Sequence, residues 1–532
     1  MATLEAPARP RASLHDGPFV NEPLTDFSRT ENARQMRAAI EKVRGQLGRE
    51  YDLIIGGKRI RTGDKIKSIN PAKPSQVVGL HQKAGKEHVE PAMQAALHAF
   101  AGWSRTSFEE RASLLFRVGD RLRERKFEFC AWLVFEVSKN WAEADADIAE
   151  TIDFCEYYSR EALRLSQTEL PVQMPAERDT LMYVPLGVGA VIPPWNFPCA
   201  IMAGMTLASI VSGNTVILKP SSDSPTIAAK FVELLEECGM PEGVVNFCPG
   251  AGASFGNAVV AHSKTRYVAF TGSREVGLDI NKSAATHAPG QLWIKRTILE
   301  MGGKDAIIVD ADADVDSAVE GVAQAAFGFQ GQKCSACSRA IVDERIYDKF
   351  LEKLKARVEK ITVGDPAENA NMGAVINEGS MKSILEYIEI GKRDGRLLTG
   401  GGPATSAGEG FFLQPTVIAD IPARSRLEQE EVFGPLLAVI KSKNYDQALE
   451  IANDTEFGLT GAVYTKSRDK IDRAIQEFHV GNLYINRKCT GATVGAHPFG
   501  GFNMSGTDSK SGGPDYLYLF TQGKAVGEKI IK

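Results

Sequence analysis

Between residues 184 and 300 the chain repeats one pattern, a short β-rich run followed by a helical stretch. The runs are Gly189-Ala190-Val191-Ile192, Thr215-Val216-Ile217-Leu218, Val244-Val245-Asn246-Phe247 and Tyr267-Val268-Ala269-Phe270. Such alternation predicts βαβ units and a parallel sheet. A second α/β block starts at Ala306-Ile307-Ile308-Val309 and runs to about residue 480. The fold class is therefore α/β. With 532 residues, 43% of them hydrophobic, the chain can bury a large core and divide into two to four domains.

The flanking segments read differently. Glu31 to Leu47 has a charged helical pattern, and Tyr51 to Ile60 reads as a strand, a Gly56-Gly57 turn and a return strand. Residues 86–167 hold amphipathic helices, among them Ala112 to Phe127 and Asp145 to Leu163. Glu169 to Met174 and Thr180 to Val184 alternate around a polar link, Pro175 to Asp179. That predicts a β-hairpin whose Met and Tyr positions can cover a partner subunit. Tyr516 to Phe520 alternates again and can add a strand to another subunit's sheet edge. The first ~25 residues, rich in Pro, Arg and polar groups, read as a tail or wrapping arm.

Composition excludes several classes of function. A net charge of −5 leaves no electrostatic footprint for nucleic acid. Eight scattered cysteines make no disulfide framework, which points to a reducing compartment and the cytoplasm. The N-terminus lacks an apolar secretory core, and no apolar run reaches the roughly 18 residues of a membrane span. A metal site is not expected either, because Cys334-Ser335-Ala336-Cys337 has no second cysteine pair at ligand spacing.

The chemistry concentrates in Ala325 to Arg339. Gly328 and Gly331 thin the backbone ahead of Cys334. Lys333 and Arg339 raise the local positive potential, which favours thiolate. Upstream, Glu300 precedes the flexible Gly302-Gly303 pair. A thiol and a carboxylate brought together can divide nucleophile and base roles. Three strand ends add to this. Pro193-Pro194-Trp195-Asn196-Phe197-Pro198 is a stiff extended loop whose Asn amide can donate to an oxyanion. Leu218-Lys219-Pro220-Ser221-Ser222 carries a lysine and hydroxyls where a Rossmann strand carries an acid. Phe270-Thr271-Gly272-Ser273 runs into a helix whose first N–H groups suit a pyrophosphate. Taken singly, each has an ordinary reading: a buried cysteine, a turn asparagine, a solvated strand-end lysine.

Together, in this order and spacing, these segments resemble the aldehyde dehydrogenase superfamily. The matching motifs are residues 194–198, Lys219-Pro220, Phe270 to Ser273, Glu300 to Lys304, Gly331 to Cys334, Glu431-Val432-Phe433-Gly434-Pro435, and Pro498-Phe499-Gly500-Gly501. They match from about residue 50 to the end, with Met301 where the family usually has Leu. Within the superfamily the chain is most similar to the 1-pyrroline-5-carboxylate dehydrogenases, which oxidise L-glutamate γ-semialdehyde. Residues 328–335, 478–488, 490–495 and Asn21-Glu22-Pro23 carry that likeness.

The resemblance implies a Rossmann-type NAD-binding domain, an α/β catalytic domain and a small β oligomerisation flap. Their expected bounds are 1–167 with 189–297, then 298–500, then 168–188 with 503–532. It implies Cys334 as nucleophile, Glu300 as the base that hydrolyses a thioester, and Asn196 with the Cys334 N–H as the oxyanion site. Members that pass the acyl group to coenzyme A typically lack that glutamate. The implied cofactor is NAD, with NADP tolerated, held by Pro194, Trp195, Lys219, Ser222, Gly250, Thr271, Gly272, Ser273, Glu431 and Phe433. The amino-acid head of the substrate would meet Ser335, Gly491, Ala492 and Glu150, with Phe197 and Phe499 around its aliphatic part. The expected partners are a small aldehyde and further copies of the chain, as a dimer or dimer-based oligomer. Proline dehydrogenase chemistry would need another polypeptide. Two other readings stay open: a broader aldehyde dehydrogenase, such as one acting on succinic semialdehyde, and a non-catalytic structural or binding homologue.

Overall fold

A computed structural model describes residues 17–167 and 170–531. The first βα block forms a seven-stranded sheet, in the order Arg296–Glu300, Thr265–Thr271, Val188–Ile192, Thr215–Leu218, Val245–Phe247, Leu53–Ile55, Lys58–Ile60. The first five are mutually parallel. Leu53–Ile55 adds antiparallel to Val245–Phe247, and the chain returns through Gly56 (φ +58°) and Gly57 (φ +76°). Two positive-φ residues in a row are what a tight hairpin turn demands, and glycine adopts them without strain. Every residue of Val188–Ile192 and Thr215–Leu218 is buried, as helices on both faces of a parallel sheet require. Gly189, within the first of these strands, serves packing. A Cβ there would sit 2.1 Å from the Tyr267 ring.

The strand order reverses at Val188–Ile192, whose neighbours are Thr215–Leu218 on one side and Thr265–Thr271 on the other. A crevice opens at such a switch point beyond the carboxyl ends of the strands, and ligands of α/β sheets bind there. The second sheet has the order Arg396–Thr399, Thr416–Ala419, Leu436–Ser442, Arg339–Asp343, Ala306–Val309, Thr460–Tyr464, Asn482–Ile485. Only its edge strand Arg396–Thr399 is antiparallel.

Between the strands Lys58–Ile60 and Val188–Ile192 of the first sheet, helices Val89–Trp103, Phe108–Glu124, Lys126–Val137 and Trp141–Ser166 occupy the region read as helical. The last spans 26 residues and starts at Asn140, whose side chain accepts from Glu143 N. Residues 17–29 form an arm whose side chains and backbone reach that helix at Asp145 and Asp153. Residues 1–16, read from sequence as tail, lie outside the described residues, as do Thr168 and Glu169.

Two sequence expectations are corrected. No hairpin forms within residues 170–185. Residues 170–176 are a loop in which Gln173 and Asp179 exchange hydrogen bonds, Gln173 Nε2 to Asp179 O (2.8 Å) and Asp179 N to Gln173 Oε1 (2.9 Å). Pro171 and Pro175 supply no N–H for a ladder. The strand that does form, Glu177–Pro185, pairs antiparallel with Thr521–Lys529 at the other end of the same chain. Tyr516–Phe520 is not a strand. It is a 3₁₀ turn that buries Tyr516, Leu517 and Phe520, with Tyr516 stacked on Tyr158 and Phe520 edge-on to Tyr267. Leu517 and Phe520, three residues apart, eclipse on one face of the turn, and Tyr516 is buried a third of a turn away. Among the described residues no helix is long and apolar enough to cross a membrane.

Candidate active site

The strand ends of the first sheet meet the cysteine loop of the second block. Beyond Ile192 the proline-braced loop carries Trp195 and Asn196. Asn196 is buried, and its Nδ2 donates to the carbonyl of Gln332 at 3.2 Å, two residues from Cys334. Trp195 meets Phe433 edge-on, ring centroids 5.5 Å apart. Phe433 itself has φ +56°, a strained backbone for an aromatic residue. At the next strand end Lys219 is buried, and its ammonium donates to Pro220 O (3.1 Å) and Gly250 O (3.3 Å). Burial holds that ammonium down to about 8. Ser222 is exposed. Gly272 N donates to Glu300 O at 3.0 Å, which ties two strand ends together. Ser273 caps the helix Arg274–Ala285, taking the Val276 N–H onto its own hydroxyl.

Cys334 follows a turn that only a braced backbone can hold. Phe329, Gln330 and Gly331 are consecutive left-handed residues, with φ of 49°, 57° and 65°. Gln330 Nε2 donates to Ser138 O (3.0 Å) and Ala374 O (2.8 Å), which anchors the turn. Gly331 passes so close to the Gly434 carbonyl that a Cβ would stand 2.3 Å from it. Gly303 likewise lies against the Cys334 carbonyl, with room for a Cβ at only 2.6 Å. The motifs of Glu300, Cys334 and Glu431 are thus brought together by glycines at their contacts.

The expected cationic activation of Cys334 is overturned. Lys333 Nζ lies 2.7 Å from both carboxylate oxygens of Glu143, contributed by the helix Trp141–Ser166. Arg339 is 1% exposed and points away into the second block, paired with Glu428 at 2.6 Å and bonded to the carbonyls of Lys304, Ile451 and Ala452. Burial raises the Cys334 thiol well above its ordinary range, and the Asp305, Glu300 and Glu431 carboxylates push the same way. Burial therefore favours the thiol over the thiolate at Cys334.

Glu300 ends the strand Arg296–Glu300. Its Oε1 accepts from the Ser509 hydroxyl, and its Oε2 is buried with no hydrogen-bond partner among the described residues. Burial raises the carboxyl to about 8. Gly500 and Gly506 make room for it, since Cβ atoms there would lie 2.9 and 3.2 Å from Oε1. Glu431 Oε1 accepts from Gly303 N at 3.0 Å, and burial raises it to about 7. Gly302 is required there, because a Cβ would stand 2.2 Å from Glu431 Oε2.

The candidate head-group residues come from three elements. Glu150 is half-buried on the helix Trp141–Ser166, and its carboxyl is raised to about 8 by burial and then by Asp147. Arg487 Nη2 donates to the carbonyls of Thr490 (3.1 Å) and Gly491 (2.9 Å). In a planar trans peptide the following N–H points opposite to the carbonyl. Arg487 therefore turns the Gly491 and Ala492 N–H groups the other way, side by side, and neither meets an acceptor among the described residues. Cys489 Sγ donates to Ser335 O at 3.4 Å, which brings that loop against Ser335. Phe197 is half-buried with Phe329 edge-on at 6.2 Å. Phe499 is half-buried, backbone-paired with Ser511 and in no ring contact with Phe197.

Two supporting residues carried no recognisable sequence signal, Ser509 and Lys139, and Arg487 lay in the matching stretch 478–488 without a role assigned to it. Lys139 is 0% exposed, pairs with Asp147 at 2.8 Å and lies under the Phe197 ring, 3.8 Å from its centroid. A lysine just past an apolar helix reads as solvated until the fold closes over it.

A model of the aldehyde dehydrogenase family matches residues 60–526. The chain belongs to that family. A 1-pyrroline-5-carboxylate dehydrogenase of Geobacillus thermodenitrificans is 56% identical over 513 residues, covering 96% of this chain and 99% of the relative. The crystal structure of a Thermus 1-pyrroline-5-carboxylate dehydrogenase with bound NAD is 50% identical, with a TM-score of 0.95 over 96% of this chain and 99% of its own. Proline utilization A of Bdellovibrio bacteriovorus is 43% identical at a TM-score of 0.95, but this chain spans only 54% of it.

For an aldehyde dehydrogenase the chemistry of this arrangement is direct. The second amide hydrogen of Asn196 and the Cys334 N–H have no acceptor among the described residues. Two such donors beside a thiol can hold an oxygen that becomes negative as the sulfur adds to a carbonyl.

Proposed function

We propose that this protein oxidises L-glutamate γ-semialdehyde, in equilibrium with 1-pyrroline-5-carboxylate, to L-glutamate with NAD, in proline catabolism. The observation that carries the reading is the pair of N–H groups at Gly491 and Ala492, left without acceptors among the described residues while Arg487 holds the neighbouring carbonyls, on a loop that Cys489 fastens to Ser335; Glu150 is assigned to the same site. Such donors suit a carboxylate, and an acid beside them suits an ammonium. The 50–56% identity to 1-pyrroline-5-carboxylate dehydrogenases supports it.

A dinucleotide suits the switch-point crevice. Lys219 and Ser222 lie at one strand end for the adenine ribose, and Gly250 lies beside Lys219. Thr271, Gly272 and Ser273 lead into a helix start. Pro194 and Trp195 border the crevice with Phe433, and Glu431 keeps Oε2 without a donor among the described residues for the second ribose. NAD, when bound, supplies the hydride acceptor.

The chain's residues do the rest. Cys334 gives its proton to water, and the thiolate sulfur adds to the aldehyde carbon. Asn196 and the Cys334 N–H take the oxyanion, and oxidation leaves a thioester on Cys334. Glu300, ionised, accepts a proton from the water that hydrolyses it, and the buried Oε2 is the free acceptor. Phe197 and Phe499 border the aliphatic part of the substrate.

The two-stranded ribbon Glu177–Pro185 with Thr521–Lys529 supports a homo-oligomer, dimeric or dimer-based. A lone ribbon is marginal in water, and this one leaves Met182 and Val526 exposed. The likeness to proline utilization A supports a functional link to a proline dehydrogenase.

The test is kcat/KM for a panel of aldehydes with NAD. L-Glutamate γ-semialdehyde should beat butanal by orders of magnitude, because a site built to bond polar groups rejects an analogue that leaves them unpaired. Succinic semialdehyde, with a carboxylate but no ammonium, should fall between. Parity of butanal with the amino-acid aldehyde would leave only the general family activity.

A further inference from the structure

The two halves of the proposed head-group site belong to different parts of the chain. Glu150 sits on the helix Trp141–Ser166, and Gly491 and Ala492 sit on a loop more than three hundred residues later. Their separation must be held closely for one small molecule to reach both. The N-terminal arm lies in the seam between them. Asn21 Nδ2 donates to Asp153 Oδ2 at 2.8 Å and to the Val494 carbonyl at 3.0 Å. Asp153 is one helical turn from Glu150, on the same face, and Val494 is two residues past Ala492. The second oxygen of Asp153 accepts from Glu22 N at 2.6 Å.

A hydrophobic contact repeats the link one turn further on. The Phe19 ring meets Tyr157 of the same helix edge-on, centroids 5.2 Å apart. It also lies on Gly495, where a Cβ would stand 3.1 Å from both the Phe19 and Tyr157 rings. Gly495 has φ +78°, so the loop needs glycine there for its backbone as well as for space. The arm is fastened elsewhere by Arg123 to Glu22 (2.7 Å) and by Thr25 N to Asp145 (2.7 Å), which gives the clamp a fixed base.

We propose that Asn21 and Phe19 are positioning residues, which set the spacing between the Glu150 helix and the Gly491–Ala492 loop and so tune selectivity for an amino-acid aldehyde. The proposal rests on the head-group reading given above. It predicts an effect confined to substrates that use both halves of the site. A simple aldehyde reacts at Cys334 without touching either.

The experiment compares steady-state kinetics of Asn21→Ala and Phe19→Ala with wild type, using L-glutamate γ-semialdehyde and butanal, each with NAD. For the amino-acid aldehyde, KM should rise roughly tenfold or more with kcat little changed, since small misplacements of a binding group are costly. For butanal, kcat/KM should stay within about twofold. Folding is checked by NAD binding and thermal melting. If Asn21→Ala does not fold, Asn21→Ser takes its place, since its short hydroxyl has one hydrogen to donate and cannot serve both Asp153 and Val494. Equal losses for both aldehydes, or none for either, would overturn the clamp. If wild type itself shows no preference for the amino-acid aldehyde, the head-group reading fails and takes the clamp with it.

Discussion

Lys139 Nζ sits 2.8 Å from Asp147 and 3.8 Å from the centroid of the Phe197 ring, with no solvent exposure. One cation thus does two jobs: it neutralises a buried carboxylate on the Trp141–Ser166 helix and supports a wall of the proposed substrate site. The same carboxylate receives Ala200 N at 2.7 Å, which ties the start of helix Ala200–Val211 to the pair.

Lys139→Met should therefore destabilise the fold by roughly 3–5 kcal/mol, the range for stranding one partner of a buried ion pair. Asp147 is already held above the ordinary carboxylate range by burial, and loss of Lys139 raises it further. A group whose folded pKa is raised stabilises below its unfolded pKa and loses that contribution as pH rises through the folded value. The deficit of the variant against wild type should grow from an acidic to a mildly alkaline pH. Urea unfolding at the two pH values measures it, and an equal deficit at both would contradict the assignment to Asp147.

A second expectation concerns activity and pH. Glu300 must be ionised to activate water, and burial holds it at about 8. Deacylation should rise by about tenfold per pH unit below that value and level off above it. A single-turnover measurement of thioester hydrolysis across pH reads this directly. A flat profile through neutral pH would remove Glu300 from the step.

How much of this was legible beforehand depends on the range of the interaction. The runs at 189–192 and 215–218 announced buried parallel strands because their composition is local. The Gly56-Gly57 turn did too, since its φ values are a property of those residues. The pairing of Glu177–Pro185 was not legible, because its partner Thr521–Lys529 lies at the far end of the chain. The charge reading at Cys334 failed for the same reason. Lys333 is adjacent in sequence, but Glu143, which neutralises it, comes from a distant helix. The family motifs named Glu300 and Glu431, while the burial that moves both toward neutrality is a product of packing.

Cofactor choice tests the proposed role of Ser222. It is exposed at the strand end beside Lys219, and neither residue would repel a 2′-phosphate. Wild type should prefer NAD yet turn over measurably with NADP. Ser222→Asp should cut NADP use by at least roughly tenfold through like-charge repulsion and spare NAD. Complete failure of wild type with NADP would show that this strand end has been misread.

Glu300→Gln separates the two halves of the reaction. The amide keeps the shape of the carboxyl and can still bond to the Ser509 hydroxyl, so the site should stay folded and NAD should still bind. It cannot accept a proton from water. On the proposed mechanism, oxidation of the first aldehyde needs Cys334, Asn196 and NAD and does not need that base, whereas thioester hydrolysis does. Rapid mixing should therefore give a burst of one NADH per active site, followed by a steady rate at least roughly a hundredfold below wild type, the usual span of a lost general base. Cys334→Ala is the control. It should give neither burst nor turnover, because no thioester can form. A Glu300→Gln variant with no burst and an unchanged steady rate would mean that some other group activates the water. A variant with no burst and no turnover would instead place Glu300 in the first half-reaction, as the acceptor of the Cys334 proton. That second outcome has a structural motive, since the Cys334 thiol is held protonated by burial and by three carboxylates, one of them Glu300. The burst separates the expected outcome from both alternatives, and the steady rate separates those two.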